Sequence, residues 1–471
     1  MSRFACFALL LSFPALLPAA VGNNADVKGA IRLFEAWMNG QMVHRALPGV
    51  AVGVVHDQQL VWSKGFGFAD TAAKSPLTSA TKFRMASHSK LFTATAIMQL
   101  REAGKLRLDD PITKYLPGFA ITPADPDDPA ITIEELLTHA SGLPREAGSH
   151  WVDYRFPDAA EVKQYLATHR APYSPEVRWK YSNLALTLAG MIVENVSGER
   201  YSAYVERHIF APLGMKDSSF DQKVPGLATG YGRRMPDGSR ATLPFIDAKA
   251  MGPATGLTST VEDMARFVSL QMRTGKTGGA QILNTGSLRE MHRVRRLEND
   301  WTRGNAIGFA VNRVKDKLYV GHGGSYPGYK TQTFIQLDSK VGVVVLTNGD
   351  DAGPAAIAMR LMDTVGEAVG KAGAAPKKTI PWDVTWSRFA GHYSSPSGEL
   401  EVVELNQRLV MIDPDLETLS AEQRLEPLGN GLFRLEAPGG GGAVGETVRF
   451  TEKDGKVVRI YVGDSYRDRV R

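Results

Sequence analysis

Apolar and polar positions alternate in this chain with periods that change from segment to segment. Ala25 to Arg45 reads as a helix, and "GVAVGVVHD" and "LVWSKGFGFAD" read as two strands joined by a polar turn at Asp57-Gln58-Gln59. The stretch "FRMASHSKLFTATAIMQL", Phe83 to Leu100, reads as a buried helix that stops at Gly104. Asp109 to Pro129 is rich in proline and acid and reads mostly as loops. "TIEELLTHASGLP" opens on Thr132 with Glu135 at capping-box spacing, which predicts a short helix. A second buried helix is expected from about Leu184 to Val196, ending at Gly198.

Near Leu318 the period changes. "LYVGHGG", "YKTQTFIQL" and "VGVVVLTNG" are consecutive strand-like runs, and "AAIAMRLMDTVGEAV" follows as a helix. A helix and two strands at one end, and three strands and a helix at the other, predict one sheet built from both ends of the region. The intervening helices form a lobe. The expected class is α/β (α+β), with a mostly antiparallel sheet. Gly370 to Asp383 is small, charged and proline-containing, and reads as a linker over 371–383. Beyond it the helical period is lost. "ELEVVEL", "RLVMI", "GLFRL", "TVRF" and "KVVRIYV" alternate with turn signals such as Asn430-Gly431 and Asp454-Gly455. Residues 384–471 are therefore expected to form a small all-β barrel or sandwich.

Composition narrows the picture. The chain has 471 residues, 43% hydrophobic and 22% charged, which is globular composition with length enough for two domains. The net charge of +5 comes from 55 cationic against 50 acidic residues without a long single-sign run. The densest cluster, Arg289, His292, Arg293, Arg295 and Arg296, reads as a solvated helix face, so no nucleic-acid partner is expected. Residues 1–22 read as a signal peptide: Arg3, an apolar run from Phe4 to Leu17, then the small residues of "PAAVG", with cleavage expected within Ala19–Gly22. A secreted or periplasmic protein without a stable membrane anchor is the expectation. The single cysteine, Cys6, lies inside that leader, so disulfides, thiol nucleophiles and thiolate metal sites are excluded from the mature chain.

The candidate chemistry starts at Ser87 and Lys90. Residues three apart on a helix lie on one face, so the hydroxyl and the amine are neighbours. A serine needs a base, and a lysine serves as one only if burial and nearby cations lower its proton affinity. The pattern alone is cheap: Ser79 and Lys82 repeat it in what reads as a loop. Partners are therefore needed. Tyr181 and Asn183, in the chain's only Tyr-x-Asn, share one side of an extended segment and could share protons or bind a substrate amide, or could simply pack and cap the helix. His322 ends a strand-like run, and Gly323 and Gly324 allow close backbone approach. That makes the Ser325 N–H a candidate oxyanion donor beside the Ser87 N–H, unless the segment is an ordinary glycine-rich hairpin. A Ser-His mechanism through His322 is the nearest rival, though no Gly-x-Ser-x-Gly elbow occurs. No His-Glu-x-x-His occurs, so no metal and no cofactor is expected; His88 is expected to be structural or to lie at the site's rim.

Ser87-x-x-Lys90, Tyr181-x-Asn183 and His322-Gly323-Gly324, in this order, resemble the penicillin-recognising serine hydrolases, a superfamily that includes class C β-lactamases, D-alanyl-D-alanine carboxypeptidases, D-aminopeptidases and class VIII esterases. "LLTHASGLP" and "ATGLTSTVEDMARF" resemble further stretches of that group, and the resemblance spans residues 24–370. It implies a β-lactamase/transpeptidase-like fold with Ser87 as acylated nucleophile and Lys90 and Tyr181 as general base and acid, hydrogen-bonded to each other. It makes Asn183 a group on the substrate's acyl side, and it puts His322, Gly323, Gly324 and the Ser325 N–H on the substrate-binding edge. The third motif departs from the usual Lys-Thr-Gly; a neutral histidine there favours uncharged esters, amides or D-amino-acid peptides over penicillins. The all-β tail resembles the lipocalin-like modules of some members. The expected activity is hydrolysis of a small-molecule or peptide acyl compound, of esterase or D-peptidase type rather than true β-lactamase. A β-lactamase or penicillin-binding carboxypeptidase is the alternative. A non-catalytic envelope or β-lactam-binding protein is a third reading.

Overall fold

The computed structural model describes residues 21–470 apart from 150, 221–223, 274–279, 299, 375–379, 413–422 and 438–441. Residues 1–20 of the expected signal peptide lie outside the described residues, as does the middle of the expected linker. The chain divides into two compact units, 1–374 and 375–471.

The first unit is built on a nine-stranded antiparallel sheet. Its strands are β1 (Gly49–His56), β2 (Gln59–Asp70), β3 (Ser75–Pro76), β4 (Arg296–Leu297), β5 (Arg303–Asn305), β6 (Ala310–Val314), β7 (Lys317–Tyr326), β8 (Tyr329–Gln336) and β9 (Val341–Thr347), in the order β3-β2-β1-β9-β8-β7-β6-β5-β4. The two chain ends meet where β1 pairs with β9, with Val50 opposite Thr347 and Val54 opposite Val343. Both strands are buried on both faces, because the period-2 alternation feeds two cores. Val50, Val52, Val54, Val343 and Val345 pack against α1 (Ala25–His44) and the C-terminal helix of the unit. Ala51, Val55, Val344 and Leu346 face the helical lobe.

That C-terminal helix opens at Pro354–Leu361, passes through a π-helical stretch at Met362–Gly366 and ends in Glu367–Gly373. It thus runs three residues into the stretch that reads as linker. The lobe centres on α2 (Ser89–Glu102), with α3 (Ile133–Leu137) and α4 (Asn183–Ser197) packed near it. The capping box expected at Thr132 and Glu135 is formed in both directions, and Gly198 closes α4 in the left-handed region, φ 76°.

In the second unit, eight strands form a closed antiparallel barrel: β10 (Gly391–Ser395), β11 (Gly398–Glu404), β12 (Leu409–Ile412), β13 (Gln423–Gly429), β14 (Leu432–Glu436), β15 (Thr447–Lys453), β16 (Lys456–Val462) and β17 (Ser465–Arg469). Closure is made by β10 pairing with β17, Tyr393 opposite Arg469. Its interior is filled by Tyr393, Leu400, Val402, Leu425, Phe433, Leu435, Val448 and Ile460. The Asn430-Gly431 and Asp454-Gly455 turns have positive φ at both residues, as two-residue hairpins require.

Candidate active site

Ser87 lies in a 3-10 turn, Ala86–His88, that runs straight into α2. The i,i+3 stacking expected of Ser87 and Lys90 is kept because a 3-10 turn eclipses residues three apart. Ala86 holds a left-handed φ of 50°, an uncommon conformation for a residue with a Cβ. The turn is pinned from both sides. Ser89 Oγ donates to Ala86 O at 2.7 Å and accepts from the Leu257 N–H at 2.9 Å.

Lys90 is wholly buried, and its Nζ has three partners: Ser87 Oγ at 3.1 Å, Asn183 Oδ1 at 2.8 Å and Ala254 O at 2.9 Å. Tyr181 OH lies 2.7 Å from Ser87 Oγ. Phenol and amine therefore converge on the serine oxygen. The lysine–tyrosine hydrogen bond that the family resemblance implies is replaced by packing of Nζ over the phenol ring, 4.9 Å from its centroid. On its outer side Tyr181 is packed by the Arg145 guanidinium, 5.0 Å from the centroid, and by the His139 ring at 4.4 Å. Ser182 caps α4, accepting from the Ala185 N–H at 2.9 Å, so the capping reading of this segment belongs to Ser182 and leaves Tyr181 and Asn183 pointing at the lysine.

Asn183 has structural partners in addition to its expected place at the substrate cavity. It lines the cavity with only 2% of its surface exposed, and both ends of its amide are engaged: Oδ1 by Lys90, and Nδ2 as donor to Glu146 Oε1 at 2.8 Å.

Of the two glycines of the third motif, Gly324 is the one that a close approach requires, whereas a Cβ on Gly323 would meet nothing nearer than the Gln332 side-chain end, at 3.0 Å. A Cβ on Gly324 would lie 2.5 Å from Met85 O and 2.1 Å from Thr331 Oγ1, so β7 can lie against the nucleophile's turn only without a side chain there. The Pro327-Gly328 turn closes the β7–β8 hairpin at Tyr326 opposite Tyr329. Antiparallel alternation then turns the Ser325 backbone away from β8. β6 pairs with β7 only as far as Gly321, so among the described residues that edge of β7 has no strand partner at Ser325. His322 is nearly buried, and its Nδ1 meets Gly323 O at 2.5 Å rather than Ser87. His88 is fully buried and hydrogen-bonds Thr331 and Thr333; it is structural and not a rim residue. Ser79 and Lys82 reach Glu262 and Asp217 respectively, so the second Ser-x-x-Lys assembles nothing.

Electrostatics follow from burial. Desolvation holds the Lys90 amine well below the ordinary lysine range, with Arg145 adding to the effect and Glu146 opposing it. Burial pushes the Tyr181 phenol up to about 12 and the His322 imidazole down to about 4. Tyrosine is thus a proton donor near neutrality and histidine is uncharged. A cavity of about 950 Å³ opens over Ser87, walled by Trp151 and Trp179, the β7 edge and the start of the helix at Pro354. Among the described residues, the charged side chains lining it are Arg145 and Lys330, each with an acidic partner: Glu146 at 3.2 Å and Asp350 at 3.7 Å. Lys330 lies cross-strand from Ser325 and donates to its Oγ at 2.5 Å. Among the described residues, no cluster of three or more His, Cys, Asp or Glu is arranged to hold a metal ion.

Sequence reading missed Arg145, Glu146, Ala254 and Lys330. Arg145 and Glu146 directly follow the "HASGLP" stretch and Ala254 opens "ATGLTST", so adjacency to motif-like stretches was the available signal. For Lys330 the hairpin register was the signal.

This fold and this assembly define the class. The Beta-lactamase family model matches residues 34–366, and the chain belongs to that family of serine acyl-transferring hydrolases. It is 35% identical over 276 residues to esterase EstB of Burkholderia gladioli, covering 52% of this chain and 70% of the esterase. It is 26% identical over 310 residues to protein flp of Staphylococcus aureus strain MW2, covering 64% of this chain and 60% of that protein's length. The octameric penicillin-binding protein homologue from Pyrococcus abyssi superposes with a TM-score of 0.65 at 25% identity, over 93% of this chain and 99% of that one.

Proposed function

We propose that this protein is a secreted serine hydrolase that cleaves a small-molecule or peptide ester or amide through an acyl-enzyme on Ser87, with esterase or D-peptidase activity ahead of β-lactamase activity. One observation carries the reading. Of the three groups around Lys90 Nζ, Asn183 Oδ1 and Ala254 O can only accept hydrogen bonds. When Lys90 is neutral, its lone pair has a single proton to take, that of Ser87.

Burial favours the neutral amine, so Lys90 is the base that frees the Ser87 oxygen to attack the acyl carbon. Tyr181, kept as a phenol, donates to Ser87 Oγ in the resting state and is suited to protonate the leaving group. The Ser87 and Ser325 N–H groups stabilise the oxyanion, and water then releases the acyl group by the reverse proton path. His322, Gly323 and Gly324 form the edge along which the substrate lies. The kinship with esterase EstB supports the ester reading. Arg145 and Lys330 in the cavity wall are partly offset by Glu146 and Asp350, so the uncharged preference expected from His322 stands, with a bias against a cationic acyl group.

The test is fluorophosphonate labelling with peptide mapping, run beside turnover of p-nitrophenyl esters with neutral, anionic and cationic acyl groups, D-amino-acid amides and nitrocefin. Expected results are label on Ser87, steady-state ester turnover abolished in Ser87→Ala, and cationic esters as the poorest of the series. Label on another residue defeats the assignment. A stoichiometric burst without turnover supports the binder reading instead.

A further inference from the structure

The mechanism above leaves one charged group unused. Glu146 lies behind Asn183, with 17% of its side chain exposed, and it follows Arg145 in the loop that leaves α3. Its Oε1 accepts from Asn183 Nδ2 at 2.8 Å, while Asn183 Oδ1 accepts from Lys90 Nζ at 2.8 Å. A carboxylate can only accept, so it dictates which end of the amide faces it. With Nδ2 committed to Glu146, the oxygen must face Lys90. Were the amide reversed, its N–H donors would face Lys90 Nζ, repelling the ammonium and competing with the Ser87 hydroxyl for the lone pair of the neutral amine.

We propose that Glu146 is a positioning residue of the acylation machinery: through Asn183 it fixes an acceptor against Lys90 Nζ, and its negative charge tunes how readily that amine gives up its proton before Ser87 attacks. This rests on the reading of Ser87 and Lys90 given above.

The surroundings of Lys90 allow the effect to be isolated. The loop that leaves α3 brings Glu146, Arg145 and His139. The start of α4 brings Tyr181, and β7 brings His322. His88 shares the turn that leads into α2, and the 252–255 segment brings only the Ala254 carbonyl. The histidines are held neutral by burial and Tyr181 is a phenol near neutrality, so Arg145 and Glu146 are the charges that act on the amine. Arg145 disfavours the ammonium and Glu146 favours it. Arg145 also contacts Glu146 directly, Nε to Oε1 at 3.2 Å, but its side chain is 62% exposed and its field is screened.

The charge and the orientation can be separated by substitution. Glu146→Gln keeps an acceptor for Asn183 Nδ2 and removes the charge. Glu146→Leu removes both. The observable is the rate of Ser87 acylation by a fluorophosphonate as a function of pH, measured with kcat/KM for a p-nitrophenyl ester on the full-length protein.

With the charge gone the ammonium is less favoured. In Glu146→Gln the acidic limb therefore moves to lower pH, by about half a unit or more, with the plateau within a few-fold of the parent. In Glu146→Leu the plateau falls by about tenfold or more through kcat, with KM little changed. An unmoved limb in Glu146→Gln, with label still on Ser87, overturns the inference alone. Absence of Ser87 labelling in the parent protein overturns the hydrolase reading and this inference together. Glu146→Gln is close to isosteric, and a thermal melt checks its fold should Glu146→Leu fail to accumulate.

Discussion

At the scale of single residues, the site depends on what Lys90 can and cannot accept. A buried amine with two fixed acceptors and one hydroxyl has its proton traffic directed by geometry. Lys90→Ala is therefore expected to lower the acylation rate by on the order of 10³-fold, the usual span for loss of a general base being about 10² to 10⁴. Loss in His322→Asn should be much smaller, because the His322 ring hydrogen-bonds Gly323 O. A single-turnover assay with both variants decides between the lysine and histidine mechanisms: equal losses, or a larger loss at His322, would reverse the assignment. The hydroxyl, amine and phenol were legible in the sequence because three short motifs each had a spacing that could be tested against helix and strand periods. Glu146 was not legible. It lies 37 positions from Asn183 in the chain, and no periodicity links a loop carboxylate to a helix start.

At the scale of elements, the third motif works through what it lacks. β7 reaches the nucleophile's turn because Gly324 has no side chain, and the turn tolerates it because Ala86 and Ser89 fix its path. Gly324→Val places atoms where Thr331 Oγ1 and Met85 O already lie. Activity is expected to fall by two orders of magnitude or more, with a drop in melting temperature measurable by calorimetry; a variant of parental activity would show that the approach of β7 is not required. Helices α1 to α4, the C-terminal helix and the five long strands of the first unit were readable from apolar period and cap signals, since two-sided burial makes β1 and β9 nearly continuous runs of valine. The barrel was only partly readable. β10 "GHYSS", β13 "QRLEPLG" and β17 "SYRDR" each bury few apolar side chains, so period-2 alternation has little to register; the pattern fits sandwich and barrel alike, and the pairing of β17 with β10 makes it a barrel.

At the scale of the whole molecule, the buried imidazoles set the acid limit of stability. His88, His292 and His322 are held down to about 3, 4 and 4 by burial, and His139 and His56 are lowered as well. A histidine of lowered folded-state proton affinity stays neutral in the fold while the unfolded chain takes up a proton below about pH 6.5. Each such group therefore costs stability as pH falls, by up to roughly 1.4 kcal/mol per pH unit. Glu135, Glu146, Asp263 and Asp350 are raised by burial and act in the opposite sense, but only on approach to the carboxylate range. Melting temperature should thus decline between about pH 6.5 and pH 5, and His292→Gln should flatten the decline. A melting temperature constant across that window would mean that the imidazoles are protonated in the folded state.

The pairing of Tyr393 with Arg469 has a consequence for how the second unit could be rewired. Because its first and last strands are neighbours, the beginning and end of that stretch of polypeptide come close together in space. A short tether could join them, and the Asn430-Gly431 hairpin could be opened to supply new termini, leaving the order of neighbours around the ring unchanged. The ring also has no first strand in a physical sense. An unpaired margin, the feature by which sheets recruit foreign strands, arises only if one of the seams around the ring parts.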